Sequence, residues 1–429
     1  MTATRRLPEP MPERRPERLS ARRAVEALRS GVPSRDGVAA LGSGQADIED
    51  RFTGLLDAVG TVRPDAHRGL LLGGGFGSGK SHLLEHVAHL ALNRGFAVSH
   101  IVVSKETPLH DPAKVLRAAV ESAVSPDGAV GAVTEAAAGL DPGSPAFAEL
   151  LRWASGGPVD ERFPLTVSLF TRAQAGDDDF AEAIVRFWSG ERLSVADLRR
   201  QARLAGEGRR VLAPVAVREL AVQRFRFVSR LFVAAGCEGW LLLFDEVELI
   251  GRYTLLQRAK SYAQLADWLL PDAEDPAGPL ATILAMTDDF DAAVLTERND
   301  REVVPAKLRA KQTPQWDEVA ARAETGMRLI ERDMIRLAQP DAAELDRTYR
   351  QLKSLHSEAF GWDAPDVAGL ERLSATRMRQ YVRAWINEWD LVRLDPSYRP
   401  QTEVAPLVFS YEEQADLDDE PPQEPSDEA

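Results

Sequence analysis

Residues 70–81 read LLLGGGFGSGKS, an apolar run that breaks into glycines and then meets a lysine and a serine. Gly74, Gly79, Lys80 and Ser81 satisfy the spacing G-x-x-x-x-G-K-[ST]. Glycines let the backbone curl until its N–H groups face phosphate oxygens. Lys80 adds a point charge and Ser81 offers a hydroxyl to Mg²⁺. A helix that follows would present its positive N-terminus to the same phosphates. The motif predicts an ATP cradle made of Gly74, Gly75, Phe76, Gly77, Ser78, Gly79, Lys80, Ser81 and His82. Gly69 to Leu72 would be the strand entering it, and Ser81 to Leu92 the helix leaving it. Only seven of the 52 basic residues are lysines (Lys80, Lys105, Lys114, Lys260, Lys307, Lys311, Lys353), so a lysine inside the motif carries weight.

A second signal lies downstream. Residues 240–246, WLLLFDE, are an apolar strand that delivers Asp245 and Glu246 at its end. Paired with the phosphate loop, this is the Walker B arrangement. Asp245 is expected to hold Mg²⁺ together with Ser81, and Glu246 to orient and activate the attacking water. The next apolar run, ATILAM, ends just before Thr287, Asp288 and Asp289. WLLLF and ATILAM are apolar on both faces, as central parallel strands are, and the β-branched AVSHIVVS at 97–104 reads as a further strand. Strand and helix patterns alternate, which predicts an α/β core with helices on both faces of a parallel sheet.

The chain has 429 residues, 44% of them apolar, enough for a sizeable core with attachments. It carries 52 Lys+Arg against 67 Asp+Glu, a formal charge of −15, which argues against a general nucleic-acid coat. Residues 411–429 hold nine of the acids and no base; without them the balance is −6. That tail and residues 1–18 read as unstructured. No apolar run approaches a membrane span and no secretory signal is read. The lone Cys237 rules out an internal disulfide framework and fits a reducing cytosol, so a cytoplasmic protein with no membrane partner is expected.

The core is expected over 19–340, interrupted by a mostly helical insertion at about 112–236. A helical lid is expected at 341–400 and an acidic disordered tail at 401–429. Two motifs invite other readings. His82-Leu-Leu-Glu-His86 has the spacing of an inverted zinc-protease motif, but the phosphate loop already claims the first turn of that helix. Gln223 to Arg230 interleaves arginines with Phe225 and Phe227. Helical spacing of Phe225, Val228, Leu231 and Phe232 favours a packed helix over a nucleic-acid surface.

The order of phosphate loop, acidic pair and polar-ended strand resembles AAA+ ATPases, nearest their origin-recognition-like branch, over roughly residues 45–395. That resemblance implies further roles. Thr287 would be sensor 1, with Asp288 and Asp289 as alternatives. An arginine finger would precede a last strand at Met334 to Leu337, from Arg328 or Arg332 and less plausibly Arg309, and would imply oligomers. In LSATRMRQYVRAWINEW, Arg377 would be the catalytic sensor 2 with Arg379 in reserve. Ser374 would cap that helix, and Met378, Val382, Trp385, Ile386 and Trp389 would form its apolar stripe.

Several longer stretches are similar to a narrower family, the D-type ATP-binding proteins of BREX phage-defence systems. They are RRAVEALRSGVPSRDGV, LGGGFGSGKSHLLEHVAHLAL, VVSKETPLHDPAKVLRAAVESAV, LLLFDEVELIGRYTLLQRAKSYAQLADWL and LAMTDDFDAAVL. The resemblance implies an AAA+-like P-loop ATPase using ATP and Mg²⁺, with other components of the defence system as partners. A slow nucleotide-dependent switch and a DNA loader or translocase are the alternatives. A small-molecule kinase fits the acidic pair least.

Overall fold

The computed structural model describes residues 15–32, 34–61, 67–174, 176–207, 212–367 and 378–399. In chain order the elements begin with α1 (Arg15–Ser30), α2 (Arg35–Leu41), α3 (Ala46–Ala58), β1 (Gly69–Gly73), α4 (Lys80–Asn93) and β2 (Phe96–Val102). Then come α5 (Pro112–Glu121), α6 (Ala132–Ala138), α7 (Pro145–Ser155), α8 (Arg162–Ala173), α9 (Asp178–Trp188), α10 (Val195–Leu204) and α11 (Val217–Ala234). The chain continues through β3 (Gly239–Asp245), α12 (Leu255–Leu269), β4 (Leu280–Met286), α13 (Asp300–Arg309), α14 (Pro314–Arg332) and β5 (Ile335–Arg336). It closes with α15 (Ala342–Phe360) and α16 (Met378–Leu394).

The five strands form one parallel sheet in the order β2-β3-β4-β1-β5. The parallel α/β sheet expected from the apolar runs is therefore present. β4 is buried along its whole length, and so is β3 as far as Phe244, which is why their sequences show no polar alternation. Register sets Gly73 opposite Met286, and Phe244 opposite Leu284. β1, β3 and β4 consequently end at nearly the same level. Ligands of open α/β sheets bind at that carboxyl edge.

The helical stretch at 112–236 has two parts. α5 packs on β2 and α11 on β3, as crossover helices do. The helices added between them are α6 to α10. They share one continuous core with the sheet, in which Phe163 lies 5.4 Å from Phe187 and 5.0 Å from Phe227, ring centre to ring centre. The buried indole of Trp188 donates to the hydroxyl of Thr166 at 2.9 Å.

Two compact units divide the chain. One holds α3, the sheet, the α5–α14 helices and the C-terminal half of α4. The other holds residues up to Gln45, Phe76–His86 and the chain from Ala338. In this second unit Ala21 and Val25 of α1 are buried against Leu352 and Ala359 of α15 and Tyr381, Trp385 and Trp389 of α16. Gln45 accepts from Ala338 N–H at 2.8 Å and donates to its carbonyl at 3.1 Å. Residues 19–45 were expected in the core. They lie with the C-terminal helices instead, because the apolar stripe of α1 finds its partners there. The helix also starts earlier than expected, at Arg15, with Pro16 tolerated in its first turn. Residues 1–14 and 400–429 lie outside the described residues. No helix among the described residues is long and apolar enough to cross a membrane.

Candidate functional site

β1 runs out into the glycine-rich loop. Gly74 N–H donates to Met286 O at 3.1 Å, tying the loop's start to the end of β4. Gly77 and Gly79 hold φ of 78° and 105°, backbone states that a side chain resists. After these reversals α4 starts at Lys80, and Leu83 N–H closes its first turn on Gly79 O at 2.8 Å. The opening amides of a helix have no acceptor within it, and here they belong to the motif. Lys80 is only 8% exposed. The hydroxyl oxygen of Ser78 is buried with no hydrogen-bond partner among the described residues. Phe76 to His82 belong to the unit that holds the terminal helices, while Gly74 and Gly75 stay with the sheet.

His82 donates from Nε2 to Gly42 O at 2.7 Å, and burial keeps its pKa below the ordinary value. That nitrogen is therefore committed to a carbonyl. Among the described residues, no group of three or more metal-ligating side chains comes together.

At the carboxyl edge of the sheet, Asp245 ends β3 and its Oδ1 accepts the N–H of Glu246 at 2.9 Å. Glu246 has φ 58° and ψ 31°, left-handed and uncommon for a glutamate. A 3-10 segment, Val247–Arg252, follows. Two guanidinium groups hold its far end. Arg258 donates to Tyr253 O at 2.6 Å and Arg298 to Gly251 O at 2.7 Å. Arg258 is itself buried and paired with Asp300 at 2.7 and 3.0 Å, and Tyr262 donates its hydroxyl to the same carboxylate at 2.7 Å. The Tyr253 hydroxyl reaches Ser104 O, past the end of β2, at 2.9 Å. Backbone strain of this kind persists where surrounding contacts over-determine it.

Thr287 follows β4 and is buried. Because β4 lies between β1 and β3, Thr287 stands between Gly74 and the Asp245–Glu246 pair. The sheet thus brings Gly74, Gly75, Asp245, Glu246 and Thr287 to one edge. Sequence reasoning missed Arg258, Arg298, Tyr253 and Asp300. The one readable signal was Thr254-x-x-Gln257, a capping pattern; the Gln257 side chain does accept the Thr254 N–H at 3.1 Å.

The arginines separate. Arg309 makes a two-pronged pair with Glu324 at 2.7 and 2.8 Å. Arg328, exposed on α14, donates to Thr325 at 2.9 Å, and Arg332 is exposed at that helix's end, before β5. Arg379 lies in the first turn of α16, its side chain beside Gly31. Arg377 and Ser374 lie outside the described residues. The arginines of the 223–230 stretch are spent on structure. Arg224 is buried, donates to Phe187 O and Glu191 O, and is pushed down to about 10 by burial. Arg226 pairs with Asp272 and Arg230 with Asp275. Phe225 packs against Trp240 and Trp268.

Residues 17–135 match the family model described as BREX system ATP-binding protein BrxC/D. Over that stretch the chain is similar to a BREX ATP-binding component. The matched span contains the whole glycine-rich loop and the strands on either side of α4. No curated protein and no solved structure matches the chain. That similarity to a BREX component suggests a role in phage defence and the binding of ATP.

Proposed function

We propose that the chain is a Mg²⁺-dependent, AAA+-like ATPase of the D-type BREX component. In this reading it couples ATP binding or hydrolysis to conformational work on partner proteins or DNA in the cytoplasm. One observation carries the reading. A phosphate-loop motif leaves β1, an acidic pair leaves β3, and the strand between them ends in Thr287.

The residues present fit the ligands. The loop from Gly74 to His82 offers amides, Lys80 and the unsatisfied Ser78 hydroxyl to phosphate oxygens. Asp245 retains Oδ2 beside the Oδ1 that holds Glu246 N–H, and with Ser81 it supplies hard oxygen ligands suited to Mg²⁺. Mg²⁺ bound there would neutralise phosphate charge. Glu246 is assigned to take the proton of the attacking water, and Thr287 to orient that water. Arg377 is assigned to sensor 2. Arg328 or Arg332 is assigned to a neighbour's phosphate in a homo-oligomer; Arg309 drops back because Glu324 neutralises it. The helices from Ala342 to Leu394 would act as the lid. A fluorescent ATP analogue titrated into wild type and Lys80→Ala tests the loop. Binding lost in the variant is expected; micromolar affinity retained would overturn the assignment.

A further inference from the structure

The 3-10 segment Val247–Arg252 joins Glu246 to Tyr253, and its two ends are fixed differently. At the near end the ties are local. Glu246 N–H donates to Asp245 Oδ1 at 2.9 Å, and Leu249 N–H to Glu246 O at 3.0 Å. At the far end they come from distant elements. Arg258 of α12 donates to Tyr253 O at 2.6 Å, and Arg298 donates from Nη1 to Gly251 O at 2.7 Å. Gly251 is buried, so water does not readily replace that donor. Six residues of 3-10 helix span about 12 Å. Over so short a rigid element, a shift at Gly251 is felt at Glu246.

Arg298 reaches Gly251 from an unusual backbone. β4 ends at Met286, Thr287 follows, and Phe290 N–H closes on Thr287 O at 3.4 Å. Asp291–Glu297 then form a π-helical segment. Arg298 N–H reaches Ala293 O, five residues back, at 3.2 Å. An α-helical turn would have sent it to Val294 O. One extra residue in a turn rotates what comes after it by about 100°. Val294 and Leu295 are buried in the core and hold the segment in that register. Asn299, left-handed at φ 62°, separates it from α13. π-Helical turns are rare and recur at functional sites. All of these residues lie in the sheet-bearing unit.

We propose that Arg298 is a positioning residue for Glu246. Through Gly251 O it fixes the segment that keeps the Glu246 backbone left-handed. Through the π-helical segment it ties that backbone to Thr287. Backbone angles set the direction of the Cα–Cβ bond, and the reach of the carboxylate follows from it. A change at the Thr287 end of β4 therefore arrives at Glu246 along the chain and one hydrogen bond. The inference rests on the roles assigned above to Glu246 and Thr287. Arg258 suits a test less well, because its buried pair with Asp300 also joins α12 to α13.

Arg298→Met keeps the length of the stem and removes the donor, whereas Arg298→Lys keeps a donor. Both are made in the full chain, and urea midpoints report folding. Hydrogen–deuterium exchange without nucleotide follows residues 246–253. Steady-state turnover with Mg²⁺ gives kcat, beside the affinity for a fluorescent ATP analogue. In Arg298→Met, exchange should quicken by about tenfold in that stretch alone, and kcat should fall by about tenfold or more at unchanged affinity. Arg298→Lys should recover most of both. Exchange or kcat equal to wild type in Arg298→Met overturns the proposal. So does exchange that rises throughout the chain with kcat and affinity lost together, which is what a merely structural arginine would give. A wild-type chain without turnover would sink the role given to Glu246, and the exchange result would still decide whether Arg298 fixes the segment.

Discussion

Glu246 shows how one residue's backbone carries information that its side-chain type does not. A left-handed residue other than glycine costs about 1–2 kcal/mol, and nothing in WLLLFDE announces it. The acidic pair was legible because two carboxylates after an apolar strand are a pattern; the conformation was not, because surrounding contacts impose it. Arginines mislead in the same way. Arg224 and Arg258 are buried, although an arginine in sequence reads as exposed. His110 yields a pH prediction. Burial, then the charge of Lys260, lowers its pKa to about 4 from an ordinary 6.5. The folded value is the lower one, so the unfolded chain takes up the proton first. The stabilisation from neutral His110 is complete above about pH 6.5 and drains away as pH falls toward 4, by at most about 3 kcal/mol. Urea midpoints across that window should fall less steeply for His110→Gln than for wild type. Equal slopes would remove His110 as the source.

Among the elements, β3 and β4 were easy to read, since strands covered on both faces show as unbroken apolar runs. β5 was harder: Ile335–Arg336 gives two paired residues, and only its place beside β1 makes it a strand. The reach of α5 and α11 was also obscured, because crossover helices and inserted helices share the same 3.6-residue period. What joins α12, α13 and the 3-10 segment is the buried Arg258–Asp300 pair with Tyr262. Removing one partner of a buried pair strands the other charge and costs about 3–5 kcal/mol. Asp300→Asn should lose that much in denaturant unfolding. A loss within experimental error would show that the pair does not hold these elements together.

For the whole molecule, the charge of −15 proved a poor guide to partners, since nine of those negative charges lie in residues 411–429. Packing of α1 against α15 and α16 joins residues more than 300 positions apart. No spacing or composition in the sequence marks such a contact. Assembly belongs to this scale as well. If Arg328 or Arg332 reaches a neighbour's phosphate, the mass in solution should rise with ATP. In Arg328→Ala or Arg332→Ala, turnover should then fall while ATP binding remains. An unchanged mass, with full turnover in both variants, would exclude an arginine finger from α14. The most direct test of the account is steady-state ATP turnover, with Mg²⁺ and saturating ATP, in wild type and Glu246→Gln. The account predicts a fall of about 100-fold or more with ATP binding intact. Equal turnover in the two proteins would contradict it.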